Sequence, residues 1–119
     1  MRAEIRTASA LGANVLGIMR IVAGIARGRR LRAPKGRLVR PTADRVKEAV
    51  FSILESREGC TDRAVLDLFA GAGTLGIEAL SRGASEAVFV EPDRSATEAI
   101  HCNLHAAGLD GEVLEMPAE

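Results

Sequence analysis

Tryptophan and tyrosine are absent from the 119-residue chain, and aromatic residues make up only 3% of it. The core therefore has to be aliphatic, built from Ala, Val, Leu and Ile. Cysteine is scarce as well. Cys60 and Cys102 stand far apart with no C-x-x-C spacing, a pattern that fits free buried thiols in a reducing cytosol rather than a disulfide framework. Long apolar runs are also lacking: no stretch approaches the ~20 residues of a membrane-spanning helix. Near the start, Glu4, Arg6 and Asn14 interrupt the apolar residues and no A-x-A cleavage site follows, so a secretory signal is not expected. The length suffices for one domain and is too short for two.

Net charge is absent too, but only as an average. Residues 20–47 hold ten Lys or Arg against the single acid Asp44, a balance of +9, whereas residues 48–119 balance at −10. Such a split along one chain suggests a basic element that meets polyanions, joined to a body with a different task. A solvated charged loop with no partner is the plain alternative.

From residue 19 the sequence becomes organised. Ile21-Val22-Ala23-Gly24, Arg27-Gly28-Arg29-Arg30 and Leu31 to Pro34 place short apolar pieces around a glycine-rich basic tip, which predicts a hairpin or irregular β arm. Arg40-Pro41-Thr42 marks a boundary, with Thr42 able to cap a helix. Val46, Ala49, Val50, Ile53 and Leu54 then fall on one helical face, and Gly59 is a stop. Ala64 to Phe69 reads as a buried strand that runs straight into glycines. A helix from Gly73 to Arg82 carries Leu75, Ala79 and Leu80 on one side, and residues 87–91 form a second buried strand. A helix beginning near Asp93 turns Ala96, Ile100, Leu104 and Ala107 inward and ends at Gly108, and Val113-Leu114 opens a third strand. The order β-α-β-α-β predicts an α/β fold with a parallel sheet of about three strands. That is half of a doubly wound sheet, and the first strand is expected to keep an open edge.

Gly71-Ala72-Gly73-Thr74-Leu75-Gly76 is a G-x-G-x-x-G loop between strand and helix, and Glu91 ends the next strand twenty residues beyond Gly71. The glycines allow a tight turn and close approach of a ligand, and an acid at that distance can accept from ribose hydroxyls. The pairing predicts nucleoside binding; a packing turn is the plainer reading of the loop alone. Asp67, four residues ahead of Gly71, would repel a pyrophosphate and suits a cationic ligand such as the sulfonium of S-adenosylmethionine. A local cap of the turn is the other role open to Asp67.

Residues 40–51 (RPTADRVKEAVF), 66–73 (LDLFAGAG) and 78–84 (EALSRGA) closely resemble the RsmD-like 16S ribosomal RNA guanine-N2 methyltransferases. Residues 20–24 and 27–31 resemble that family's N-terminal arm, so the likeness runs over about residues 19–116. The resemblance implies a Rossmann-like S-adenosylmethionine-dependent methyltransferase fold, incomplete here, with a basic N-terminal β arm. It implies cofactor contacts at Thr42, Asp67, Phe69, Gly71, Gly73, Glu91 and Pro92, with residues around Met116 to Ala118 on the adenine edge; Pro117 is unusual there. Thr42 has helix capping as an equal reading. Arg27, Arg29, Arg30, Arg32 and Arg40, with Lys35 and Arg37, would grip RNA phosphates. The arm holds no aromatic residue, so it would position RNA rather than stack on bases.

On this reading residues 1–18 are a disordered leader or a misassigned start, 19–41 the basic arm, and 42–119 the N-terminal half of the methyltransferase domain. The implied partner is 16S ribosomal RNA or a small-subunit assembly intermediate in the cytoplasm, with no membrane and no metal. Family members carry Asn/Asp-Pro-Pro-Phe/Tyr after the fourth strand, and this chain has no such tetrapeptide. No catalytic residue is assigned, and the chain alone is expected to transfer no methyl group. His101 and His105 flank Cys102 on one helix, but a metalloprotease glutamate and a third ligand are missing, so they read as helix-flank residues, and Asn103 as structural. Three rivals remain: a DNA adenine-N6 methyltransferase relative, a non-catalytic RNA-binding remnant, and an NAD oxidoreductase, which Asp67 opposes.

Overall fold

The computed structural model describes residues 2–6, 18–34, 43–57, 59–68 and 70–118. Its centre is a parallel sheet of β4 (Ala64–Leu68), β5 (Glu86–Val90) and β6 (Glu112–Leu114), joined by α2 (Thr74–Ser81) and α3 (Arg94–Ala107). These are the three strands and two crossover helices expected. A fourth strand is an addition: β1 (Arg2–Arg6) lies parallel to β4, pairing Arg2 with Ala64 and Arg6 with Leu68. The sheet order is β1-β4-β5-β6. One expectation is thereby corrected: the edge of β4 is not open, because residues 2–6 pair along it. The physical reason is the row of unpaired N–H and C=O groups that a buried strand offers any extended segment.

Helix α3 is delimited as its sequence dictates. Asp93 accepts a hydrogen bond from Ala96 N at 3.2 Å as N-cap, and Gly108 closes the helix in the left-handed region at φ 69°. Ala96, Ile100, Leu104 and Ala107 are all buried against the sheet. Phe89, from the middle strand, is fully buried between the two crossover helices, and the core is otherwise largely aliphatic. Phe51 on α1 is the second fully buried aromatic.

Helix α1 (Ala43–Arg57) keeps part of the expected face, with Val50 half-buried and Leu54 packed against the core, and departs from it elsewhere. Phe51 and Lys47 are buried, whereas Ala49 and Ile53 are exposed, Ile53 by 57%. The side chain of Val46 lies outside those described. The inward stripe is fixed by polar partners. Lys47 Nζ lies 3.3 Å from Glu78 Oε1, and Arg82 stacks over the Phe51 ring at 4.6 Å. A lysine counted as polar in the sequence thus sits inside, because a buried carboxylate neutralises it.

The basic arm is an antiparallel ribbon of β2 (Ile18–Arg20) and β3 (Arg30–Arg32), with Met19 opposite Leu31. Met19 and Leu31 point into the core while Arg20, Arg30 and Arg32 face outward, the alternation of a half-buried strand pair. The arm covers α2, which explains why every residue of that helix is buried. One face meets the sheet and the other meets the arm.

Candidate functional site

The loop after β4 and the end of β5 meet at the carboxyl edge of the sheet, the position where open α/β sheets bind ligands. Glu91 follows β5 and is buried, 6% exposed. Its Oε1 accepts a hydrogen bond from Gly71 N at 2.9 Å, and its Oε2 accepts from Asp93 N at 2.9 Å. A carboxylate offers about four acceptor sites, so two backbone bonds leave capacity for a hydroxyl. Met116 N donates to Glu91 O at 3.1 Å, which holds the segment after β6 beside the same strand end. The Met116 side chain there is 49% exposed, a large apolar group left in the open. Pro92 is exposed next to Glu91.

Two glycines of the loop serve different ends. Gly71 has φ 58°, and a Cβ built on it would point into open space. The residue is needed for its backbone angle and leaves room above the loop. At Gly76 a Cβ would come within 2.3 Å of the Phe89 ring and 3.1 Å of Asp67 Oδ2. Here hydrogen is the only side chain that lets α2 close on β5.

Asp67, at 0% exposure, directs Oδ2 to Gly76 N at 3.0 Å. Helix α2 begins from Gly73, in the left-handed region at φ 80° and without a capping side chain. The strand carboxylate takes up one of the first-turn amides instead. Asp67 therefore ties the strand to the helix across the loop, the capping role that the sequence left open beside ligand contact. Thr42, Phe69 and Arg40, with Lys35 and Arg37, lie outside the described residues.

Among the arginines of the arm, Arg27, Arg30 and Arg32 are exposed. Arg29 is exposed too, but its Nη1 donates to Ala106 O at 2.9 Å, at the carbonyl end of α3. Arg20 stands directly opposite Arg30 in the ribbon and is exposed beside it.

Of the residues that fasten this arm, sequence reasoning gave no role to Glu78 or Ser81 and only a structural one to Asn103. Glu78, at 0% exposure, accepts from Val22 N at 2.9 Å and Ala23 N at 3.0 Å, and pairs with Arg82 Nε at 2.9 Å as well as with Lys47. Ser81 Oγ accepts from Ala26 N at 2.9 Å and donates to Ala23 O at 2.6 Å. Asn103 Oδ1 accepts from Arg32 N at 2.8 Å, and its Nδ2 donates to Arg32 O at 2.9 Å and Ala72 O at 3.0 Å. The signals for Glu78 were its place in the segment EALSRGA and its being the one charged residue of α2.

Cys60 is buried and Cys102 exposed, both unbridged. Burial, reinforced by the nearby Glu55 carboxylate, pushes the Cys60 thiol above its ordinary pKa. Among the described residues no three His, Cys, Asp or Glu side chains gather as a metal site, and no helix is long and apolar enough to cross a membrane.

A parallel sheet, a glycine loop and an acid at the next strand end define a partial Rossmann-like methyltransferase fold. The structure of the hypothetical protein TTHA0928 of Thermus thermophilus superposes with a TM-score of 0.72 at 39% identity, over 84% of this chain and 56% of that one. Escherichia coli yhhF gives 0.73 at 39% identity, over 86% and 54%. The chain belongs to the family described as conserved hypothetical protein 95, which matches residues 19–118. Among its relatives, ribosomal RNA small subunit methyltransferase D of Escherichia coli is 44% identical over 88 residues, 74% of this chain and 43% of that protein. The Haemophilus influenzae protein of the same name is 40% identical over 103 residues, 87% and 52%. The RsmD-like resemblance is thus confirmed, and the chain spans about half the length of these relatives.

Proposed function

We propose that this chain is the cofactor-binding part of an S-adenosylmethionine-dependent RNA methyltransferase acting on guanine N2 of 16S ribosomal RNA in the cytoplasm. The observation that carries the reading is the Glu91 carboxylate, held at the end of β5 and bonded to Gly71 N within the glycine loop at 2.9 Å. The names of the relatives, ribosomal RNA small subunit methyltransferase D, support the substrate class.

Bound S-adenosylmethionine would supply an electrophilic methyl group on a sulfonium. The residues present fit such a ligand. Glu91 has acceptor capacity for ribose hydroxyls, and Gly71 leaves open space above the loop. Pro92 and the half-exposed Met116 offer apolar surface for an adenine ring. Gly73, Thr42 and Phe69 complete the set by resemblance. Asp67 adds negative charge behind the loop, which disfavours a pyrophosphate and with it NAD.

The exposed arginines Arg27, Arg30 and Arg32, with Arg40, would hold RNA phosphates, and Arg29 shares that face while bonded to α3. Methyl transfer to an exocyclic amine requires acceptors that draw off its hydrogens and orient its lone pair. In relatives this falls to Asn/Asp-Pro-Pro-Phe/Tyr, which the chain lacks, so no catalytic residue is assigned and the chain alone transfers no methyl group.

Titration calorimetry of the 119-residue chain with S-adenosylhomocysteine and with NAD tests the cofactor. Binding of the first alone is expected; binding of NAD alone would overturn the reading. RNA affinity should fall steeply with salt. A folded chain that binds RNA but no cofactor would instead be a non-catalytic remnant.

A further inference from the structure

Asn103 is 1% exposed and sits on the face of α3 that meets both the arm and the glycine loop. Its single carboxamide closes two hydrogen bonds with the backbone of Arg32, accepting from N and donating to O. That is what a neighbouring strand would offer, so the side chain stands in for a strand alongside β3. The second amide hydrogen goes to Ala72 O at 3.0 Å. Ala72 is the residue between Gly71 and Gly73, and its carbonyl fixes the peptide plane that leads into Gly73 N.

One buried amide thus spans the element that would meet RNA and the loop that would meet cofactor. All three of its bonds are to backbone groups, and they are made together only while the arm is docked. The donor and acceptor of the carboxamide are matched to the acceptor and donor of Arg32, so the arrangement has one orientation. The arm is held besides by Glu78 and Ser81 on α2, by the bond of Arg29 to Ala106 O on α3, and by that of Lys47 Nζ on α1 to Arg20 O. Among the described residues, Asn103 is the side chain that bonds both to the arm and to the loop.

We infer that Asn103 is a positioning residue that couples occupancy of the basic arm to the shape of the glycine loop, so that RNA and S-adenosylmethionine bind with positive cooperativity. This rests on the proposed function, in that it takes the arm as the RNA surface and the loop as the cofactor surface. RNA phosphates on Arg30 and Arg32 stabilise the docked arm. The docked arm holds Asn103 against Ala72 O, and the loop is then presented in the conformation that receives the cofactor. Coupling of this kind is reciprocal: the cofactor tightens RNA by the same factor.

The test is a binding cycle on the 119-residue chain, using S-adenosylhomocysteine and a short mixed-sequence RNA, each titrated with and without the other. The wild-type chain is expected to show coupling of about fivefold or more. Asn103→Leu should bring the factor close to one while both ligands still bind. A merely structural Asn103 would weaken both affinities and lower Tm yet leave the factor intact, and that result overturns the inference. So does a wild-type factor of one. Failure of the proposed function is separate, since it shows as no binding of one ligand at all. Should Asn103→Leu not fold, hydrogen exchange on the wild-type chain decides. RNA alone should slow exchange at Gly71 N and Gly73 N, and unchanged exchange there sinks the idea.

Discussion

Glu91 and Gly71 are joined at 2.9 Å, carboxylate oxygen to buried amide, so the end of β5 and the first glycine of the loop form one unit before any ligand arrives. Two variants separate the structural and ligand-binding parts of this contact. Glu91→Gln keeps one oxygen for Gly71 N but loses the acceptor that serves Asp93 N and the negative charge. Glu91→Ala leaves Gly71 N without a partner, at a cost of about 1–3 kcal/mol. Urea denaturation should show the larger loss for alanine. Calorimetry should show S-adenosylhomocysteine weakened about tenfold or more by both, the worth of a hydrogen bond to a charged group. Undiminished affinity in Glu91→Gln would remove Glu91 from the ligand site.

Gly76 and Phe89 form a matched pair of absence and bulk. Gly76→Ala drives a methyl to 2.3 Å from the Phe89 ring and should destabilise the chain by about 1–3 kcal/mol. Phe89→Leu opens space on that side. The double variant should therefore be more stable than the two single losses together imply, by more than about 0.5 kcal/mol. Additive losses in a denaturation cycle would contradict the pairing.

Glu78 balances Lys47 and Arg82 and receives two amides of the arm. Removing it in Glu78→Ala takes the Glu78 carboxylate from the buried Lys47 ammonium, which keeps its bond to Arg20 O at 2.7 Å, and should cost about 3–5 kcal/mol. Lys47→Met leaves Glu78 with Arg82 and the amides of Val22 and Ala23, so its loss should be the smaller. The reverse order in thermal or urea unfolding would mean that Lys47, not Glu78, organises the cluster.

Cys60 gives the chain an alkaline weakness. Its thiol titrates above the ordinary value of 9.0 in the folded state, burial being the main cause. The unfolded thiol ionises first as pH rises, so the unfolded state then holds fewer protons and stability declines. The contribution is intact below the unfolded pKa and is lost as pH climbs through the folded one. Urea denaturation from about pH 8 to about pH 10 should show a steeper decline for the wild-type chain than for Cys60→Ala. Equal slopes would place the effect elsewhere. At neutral pH a thiol reagent should label the exposed Cys102 well before Cys60.

The strands and crossover helices could be read from residues because each carries a local mark. Apolar runs meet glycines or a turn just beyond Leu68 and Val90, Asp93 caps α3, and Gly108 ends it. The loop and Glu91 were visible for the same reason, as a fixed spacing between a glycine turn and a strand-end acid. What escaped reading depends on partners distant in sequence. Lys47 looks like surface until Glu78 is seen beneath it, which is why periodicity alone extends the inward face of α1 beyond Val50 and Leu54 to the exposed Ala49 and Ile53. The pairing of β1 with β4 leaves no mark in either segment, since any extended chain can use a strand edge. Glu78, Ser81 and Asn103 grip main-chain atoms of the arm, and backbone groups are the same whatever the local sequence.

That last property sets how the arm can change over evolution. Val22, Ala23 and Arg32 are held by their amides and carbonyls, so those bonds do not read their side chains. Gly24 is an exception: at φ 90° a Cβ there would come within 1.9 Å of Ser81 O. Around that fixed point, with Met19, Ile21, Ala26 and Leu31 kept for the core, the outward letters of the arm can be rewritten without undocking it. Substitution in a few exposed arm positions can thus change the charge the arm presents, leaving the fold and the loop untouched.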